Sequence, residues 1–238
     1  MAYGMILNII TCFLISGIAF FTARNIYSRQ IKRTGGLAFG LFWFLVGWQW
    51  LFSGFRTIAA FFGKLSWDKN FYYAVEILVG IYAVPLIYFL VIRATKKSNV
   101  ANVFGFITLL NAIAYVYFVA TRGVHFVSAS YFATEYRPND TTHLYFIVLF
   151  VFVLVILLYD IVIEVIRKIK ASAYFDRQMF ICLLSLLFYA VSGYFDHTGE
   201  PNGWKLIMIR AFIAGSVFLG YMAYVIAENK EEKENLVV

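Results

Sequence analysis

Residues 36–63 carry the stretch GLAFGLFWFLVGWQWLFSGFRTIAAFFG, which is long and apolar enough to cross a lipid bilayer as a helix. Its glycines Gly40, Gly47 and Gly54 recur every seven residues and therefore line one helix face. In a membrane, small residues in this arrangement favour close packing against another helix. Arg56 lies on a different face, and a membrane arginine is tolerated toward the bundle interior or a wet cavity. The stretch therefore predicts a central helix that contacts protein on two sides.

The rest of the chain repeats this apolar character. Of 238 residues, 62% are hydrophobic and 14% are charged, far from the balance of a soluble domain. Seven apolar runs each approach the roughly 20 residues that a spanning helix needs, which leaves no room for a soluble catalytic domain. We therefore predict an all-α, polytopic integral membrane protein with a seven-transmembrane-helix bundle. The expected spans are residues 3–22, 36–63, 71–92, 101–120, 142–166, 178–194 and 204–227, followed by a charged tail at 228–238.

The distribution of basic residues predicts the orientation of the bundle. Loops one, three and five and the tail together carry 13 lysines and arginines, whereas the opposite side carries five. The positive-inside rule then places the N-terminus outside and the tail in the cytoplasm. Basic loops that face anionic lipid also explain the net charge of +7, so we expect no nucleic-acid partner. We therefore expect a multi-pass protein of the plasma or inner membrane, in contact with the lipid bilayer.

Three charged residues lie within predicted helices near the outer third of the membrane, namely Arg56, Glu76 and Arg210. With the predicted spans, each lies about 10 Å from the outer end of its helix, at 1.5 Å of rise per residue. Two arginines against one glutamate leave a surplus positive charge, which requires Asp196, access to water or an anionic ligand. Guanidinium groups suit carboxylate and phosphate ligands. The structural alternative is that Arg56 and Glu76 form a buried pair that sets the helix register.

Aromatic residues and a long connection surround the level of these charges. The aromatic side chains are typical of a membrane-interface belt, and they equally suit the wall of a pocket for a lipophilic ligand. The connection from 121 to 140 is the longest in the chain, and connections beyond roughly 12–15 residues are often lids or binding loops. The candidate ligand-binding residues are Arg56, Glu76, Arg210, Gln49, Trp48 and Tyr82.

Histidines and cysteines give little indication of a metal or a cofactor. His125, His143 and His197 all fall on the predicted outer side, and imidazole is a standard zinc ligand. No HxxxH, HExxH or CxxC spacing accompanies them, so they are weak metal candidates and the expected metal and cofactor content is none. Cys12 and Cys182 fall inside spans, where free cysteine is typical of an apolar core.

A second charged group lies near the predicted cytoplasmic end of the fifth span. Asp160 and Glu164 are four residues apart and therefore share one helix face. Arg167 and Lys168 follow Glu164 at three and four positions, so local helix pairs can neutralise it. A proton relay through the two carboxylates is the functional alternative.

These features favour a seven-helix receptor- or sensor-like membrane protein. The expected ligand is small and anionic or lipophilic, and its pocket faces outward between helices 2, 3 and 7. No catalytic set of residues is visible, so an enzyme is disfavoured. Signalling would require a protein partner, at the cytoplasmic face or in the membrane. Two alternatives remain: a transporter of a small organic anion, and a non-enzymatic subunit of a larger membrane complex.

Overall fold

The computed structural model describes residues 2–30, 35–170, 177–198 and 203–222. Within these ranges the chain forms seven helices and one two-stranded sheet. In chain order they are α1 (Ala2–Gln30), α2 (Gly36–Phe61), α3 (Leu65–Thr95), α4 (Ser98–Arg122), β1 (Val124–Ala129), β2 (Thr134–Pro138), α5 (Asp140–Ile169), α6 (Arg177–Thr198) and α7 (Trp204–Tyr221). All seven helices are long and apolar enough to cross a membrane. The predicted all-α class is therefore confirmed, and the number of helices long enough to cross a membrane matches the number of predicted spans.

The helices pack in chain order around a centre that α2 and α3 share. Each helix contacts the next along the chain, α7 returns to contact α1, and α3 reaches across the bundle to α5. α3 and α2 are the two most buried of the seven. α3 runs through the buried Pro85 without ending. The central position predicted for α2 is thus shared with the helix that follows it.

The glycine stripe of α2 packs against aromatic residues of α1. A methyl group placed on Gly47 would lie 2.7 Å from the ring of Phe20, and one on Gly54 would lie 3.1 Å from the ring of Phe13. Ser16 adds a hydrogen bond, donating its hydroxyl to the Gly47 carbonyl at 2.8 Å. The predicted close packing of this stripe is confirmed, and its partner is α1.

Several helices extend beyond the apolar runs that predicted them. α3 begins at Leu65 instead of residue 71, and α6 ends at Thr198 instead of residue 194. Hydropathy marks the hydrocarbon layer, whereas backbone hydrogen bonding continues a helix through polar turns beyond that layer. As a consequence Asp68 and Asp196, expected in loops, are helical residues. Residues 223–227 of the seventh predicted span and the tail at 228–238 lie outside the described residues.

A β-hairpin covers one end of the bundle, which we call the hairpin face. β1 and β2 pair antiparallel between α4 and α5, inside the connection that was expected to form a cap. The side chains of Thr134 and Tyr136 point inward from β2, in alternation with Glu135 and Arg137. Asn139 then caps α5, because its side-chain oxygen accepts a hydrogen bond from the backbone of Thr141 at 3.0 Å.

The basic residues at the ends of α3 and α5 lie at the opposite end from the hairpin face, so the predicted orientation can be tested directly. We expect Ser66→Cys, on the hairpin face, to react with an impermeant thiol reagent in intact cells. Ser98→Cys, at the start of α4, should react only after the cells are lysed. Both serines are exposed, and the native Cys12 and Cys182 are buried and give little background. Labelling of Ser98→Cys alone in intact cells would reverse the orientation.

Candidate functional site

A cavity of about 160 Å³ lies beneath the hairpin, bounded by α2, α3, α5, α6, α7 and β2. Its end nearest the hairpin is polar, and its floor, deeper along the helices, is apolar. The floor residues are Val79, Ala83, Leu86, Leu149, Val153 and Leu186. Five of the six candidate residues line this cavity, namely Gln49, Arg56, Glu76, Tyr82 and Arg210. The structure therefore brings together residues from three helices that the sequence placed at similar depth.

Trp48 is the candidate residue that lies outside the cavity. Its ring packs 5.8 Å from that of Phe20 on α1, and the residue is 37% exposed. Trp50 lines the cavity in its place and donates its indole N–H to the Tyr189 hydroxyl at 3.3 Å. That hydroxyl in turn donates to Gln49 at 3.3 Å. Two positions turn a helix by about 200°, so Trp48 and Trp50 face opposite sides.

Arg56 pairs with Asp68 and holds the hairpin. Its Nε lies 3.0 Å from Asp68 Oδ1, and its Nη2 donates to the backbone carbonyl of Thr134. The Thr134 hydroxyl donates to the other oxygen of Asp68 at 2.5 Å. The guanidinium also lies 4.8 Å from the centre of the Tyr72 ring, within the range of a cation–π contact. The alternative in which Arg56 pairs with Glu76 is therefore not observed, and Arg56 pairs instead with an aspartate that lies outside the predicted span at 71–92 but is helical in the structure.

Arg210 pairs with Asp196 and joins α7 to α1 and α6. Its Nε lies 3.2 Å from Asp196 Oδ1. Its Nη1 donates to Asn8 Oδ1 and lies 3.2 Å from the sulfur of Cys12. Neither α1 residue was predicted at the site. Asn8 and Cys12 are four residues apart in an apolar run and therefore share one helix face. That shared face is the sequence feature that could have predicted their position at the site.

Glu76 contacts a phenol and an imidazole. The Tyr115 hydroxyl donates to Glu76 Oε2, and His197 Nδ1 lies 3.5 Å from Oε1. The carboxylate is only 1% exposed. The His197 ring packs 3.9 Å from that of Phe146 and lies parallel to His143 at 6.4 Å. Its Nε2 is buried and has no hydrogen-bond partner within the described part of the chain.

These pairings remove the surplus positive charge that favoured an anionic ligand. Arg56 and Arg210 each have a carboxylate of their own, Asp68 and Asp196. An arginine paired in this way presents little net field to a third group. Asp196 was one of the three partners that the sequence allowed for the surplus charge, whereas Asp68 was left out of the charge balance because it precedes the apolar run at residues 71–92. Glu76 remains as the carboxylate whose described contacts are two tyrosine hydroxyls, of Tyr115 and Tyr72, and an imidazole.

Tyr136 fastens the second strand over α3. Its hydroxyl donates to the Leu65 carbonyl at 3.4 Å, and its own carbonyl accepts from the Tyr72 hydroxyl at 3.3 Å. Burial raises the pKa of Tyr136 to about 12, and the nearby Asp68 adds to the shift. The phenol is therefore neutral, and remains a donor, throughout the physiological pH range.

The tip of the hairpin rests on α1 and α7. Asn8 donates its side-chain N–H to the Phe132 carbonyl at 2.8 Å. The Phe132 ring lies 5.6 Å from that of Trp204 at the start of α7. Together with Arg56, Thr134 and Tyr136, these contacts hold the hairpin closed over the cavity.

The three histidines are not gathered in one place. His125 is exposed on β1, whereas His143 and His197 stack beside the cavity. Among the residues that the structure describes, no group of three or more His, Cys, Asp or Glu is placed to hold a metal ion. Glu200, an acidic residue that follows His197 closely in sequence, lies outside the described residues.

The second charged group forms a buried network away from the cavity. Arg93 at the end of α3 contacts Asp160 at 3.2 Å and Glu164 at 2.9 Å. Arg167 contacts Glu164 at 2.7 Å, which confirms the predicted local pair. Both carboxylates are fully buried, and their shared partner Arg93 was missed because it comes from another helix.

The fold and the site define a class: a seven-helix protein, apolar enough to span a membrane, with a cavity covered by a β-hairpin. No family model, curated protein or solved structure matches this chain. A fold alone assigns no function, so the chemistry of the cavity residues carries the functional proposal.

Proposed function

We propose that this chain is a receptor- or sensor-like membrane protein that binds a small lipophilic ligand beneath the hairpin. The observation that carries the proposal is the cavity, with its polar end at the hairpin and its apolar floor inside the bundle. Concave sites with apolar walls and a few convergent polar groups are the usual form of a ligand pocket. An engineered cavity of about 150 Å³ accepts benzene, so about 160 Å³ suits a ligand built on one small ring.

The hairpin supports a sensing function because it joins the cavity to several helices. Arg56 on α2 and Asp68 on α3 both bind Thr134, and Asn8 on α1 binds Phe132. A ligand that displaces or tightens the hairpin would act on these three helices together. The response would pass to a partner at the opposite, basic face of the bundle. In the orientation we propose, the cavity faces outward and the basic face is cytoplasmic.

One observation favours the non-enzymatic subunit as the second candidate. Arg56, Arg93 and Arg210 each have a carboxylate partner, as expected of charges that only fix helix positions. The same pairing weakens the third candidate, a carrier for a small organic anion, because its substrate would have to compete with those carboxylates.

A variant that fills the cavity separates these candidates. Gly193 lines the cavity on α6, and a side chain placed there meets no described atom within 4 Å. We expect Gly193→Leu to fold but to lose all stabilisation by ligand. Gly215 on α7 is equally open and does not line the cavity, so Gly215→Leu is the matched control. The measurement is a thermal-shift screen of ring-sized compounds on the purified protein.

A ligand whose free concentration is about 100 times its dissociation constant stabilises the folded protein by about 2.7 kcal/mol, a change that a thermal-shift screen detects. We expect wild type and Gly215→Leu to shift with the same compounds. If no compound shifts wild type and Gly193→Leu melts higher because the cavity is filled, the receptor proposal fails. The subunit candidate would then be pursued through the proteins that copurify from native membranes.

A further inference from the structure

Glu76 lies at the junction between the polar end and the apolar floor of the cavity. A carboxylate can accept about four hydrogen bonds, and the described groups within its reach are the Tyr115 hydroxyl, the His197 imidazole and the Tyr72 hydroxyl. The group therefore has acceptor capacity left toward the cavity that it lines. An ionised carboxylate that is buried without a cation is costly, so a positive charge beside Glu76 is favoured.

The arginines of the site do not supply that charge, because their described carboxylate partners are Asp68 and Asp196. The nearest described cationic group is His197, when its imidazole is protonated. A ligand that carries its own positive charge would neutralise Glu76 equally well, without a proton on His197.

The rings around the cavity also suit a cation. Aromatic faces attract ammonium groups, most strongly where water is excluded. Six aromatic residues line the cavity on α3, α5 and α6, namely Tyr72, Tyr82, Phe146, Phe150, Tyr189 and Tyr194. Below them the apolar floor suits hydrocarbon. The two halves of the cavity thus match the two halves of an amine with a lipophilic tail.

We infer that the ligand is a small lipophilic amine, bound as its ammonium ion beside Glu76 with its hydrocarbon part on the apolar floor. The inference rests on the proposed ligand pocket and names the charge of the ligand. The volume of about 160 Å³ limits the tail to about one aromatic ring. 2-Phenylethylamine is a probe of that size.

Amine binding competes with a proton on His197. The titratable or charged groups that share this region with His197 come from every surrounding element: Arg56 on α2, Glu76 on α3, Tyr115 on α4, Asp140 and His143 on α5, Asp196 on α6, Arg210 on α7, and Glu135 and Arg137 on β2. Protonated His197 would neutralise Glu76 and repel an ammonium ion. Because the imidazole lies 3.5 Å from Glu76, its protonated form competes with the amine for the same carboxylate, so the amine should bind more tightly at high pH than at low pH.

The test compares three probes of one shape on the full-length protein in detergent. They are 2-phenylethylamine, the neutral 2-phenylethanol and the anionic 3-phenylpropanoate, each measured by calorimetry at pH 5.5 and 8. We expect the amine to bind most tightly, and at least tenfold more tightly at pH 8 than at pH 5.5. 2-Phenylethanol should bind weakly at both pH values, because it lacks the charge.

Variants then assign the effect to named residues. Glu76→Gln keeps the shape of the side chain and should weaken amine binding at least tenfold, while 2-phenylethanol binding is unchanged. His197→Gln should remove most of the pH dependence. Glu135→Gln deletes a charge of the same sign at the cavity rim, where the residue is partly exposed and screened by salt, and should change amine binding less than twofold.

Each outcome bears on the inference. If 3-phenylpropanoate binds best, or if Glu76→Gln binds the amine as wild type does, the amine inference is overturned while the ligand pocket stands. If none of the three probes binds wild type, both the inference and a pocket for ring-sized ligands fail. Should Glu76→Gln not fold, the three-probe comparison and the pH series on wild type decide without it.

Discussion

Replacing Arg93 with glutamine is expected to lower the free energy of unfolding by about 3–5 kcal/mol, the cost of removing one partner from a buried ion pair. Arg93 is shared by Asp160 and Glu164, both fully buried on α5. Without its guanidinium, two carboxylates remain in an apolar environment, with Arg167 as the described cation in contact with one of them. The loss should shrink as the pH falls, since a protonated carboxyl group needs no cation. Denaturant unfolding in detergent, at neutral and acidic pH, measures both effects.

Arg167→Gln is the matched control, because Arg167 contacts the same Glu164 from a side chain that is 34% exposed. A pair with one exposed partner contributes about 0–1 kcal/mol, so this variant should be nearly as stable as wild type. If Arg93→Gln and Arg167→Gln lose equal stability, the network does not join α3 to α5 as described. Adding Asp160→Asn and Glu164→Gln to Arg93→Gln should recover part of the loss, since no buried carboxylate is then left without a cation and the partly exposed Arg167 can be solvated.

Gly47→Leu is expected to lower the free energy of unfolding by about 1–3 kcal/mol, because it forces apart the closest contact between α1 and α2. A single added methyl group would already lie 2.7 Å from the Phe20 ring, and leucine adds three more carbon atoms. The same shift would break the hydrogen bond from Ser16 to the Gly47 carbonyl. Thermal unfolding in detergent gives the size of the loss.

The control for this variant lies on the other helix of the pair. Gly17 on α1 is exposed, and a side chain there meets no described atom within 4 Å. Gly17→Leu should therefore melt close to wild type. A Gly47→Leu protein as stable as Gly17→Leu would show that α1 and α2 separate without cost, contrary to the packing described above.

The buried pairs have consequences for the site as well as for stability. Asp68 binds both Arg56 and Thr134, so it fixes the hairpin and neutralises one wall of the cavity at once. Asp196 neutralises Arg210 in the same way. Arg210 in turn joins α7 to α1 through its hydrogen bond to Asn8. Glu76 is thereby left to act on whatever enters the cavity, which is the basis of the amine inference.

The sequence by itself determined the features that depend on local pattern. Apolar runs identified the seven helices that are long and apolar enough to cross a membrane, since the bilayer thickness sets the length that such a helix needs. The sevenfold spacing of Gly40, Gly47 and Gly54 identified a packed face, since residues at that spacing share one side of a helix. Rise per residue placed Arg56, Glu76 and Arg210 at similar depth, and they do line one cavity.

Only the tertiary structure decided which groups meet. Asp68 and Asp196 lie just beyond their apolar runs, and hydropathy does not report that the helices continue through them. Trp50 lines the cavity and Trp48 does not, because the rotation of α2 about its axis is set by how Phe20 packs against it. Pairing between helices depends on rotation and on where each helix ends. Both are fixed by contacts between residues distant in sequence, which no local pattern contains.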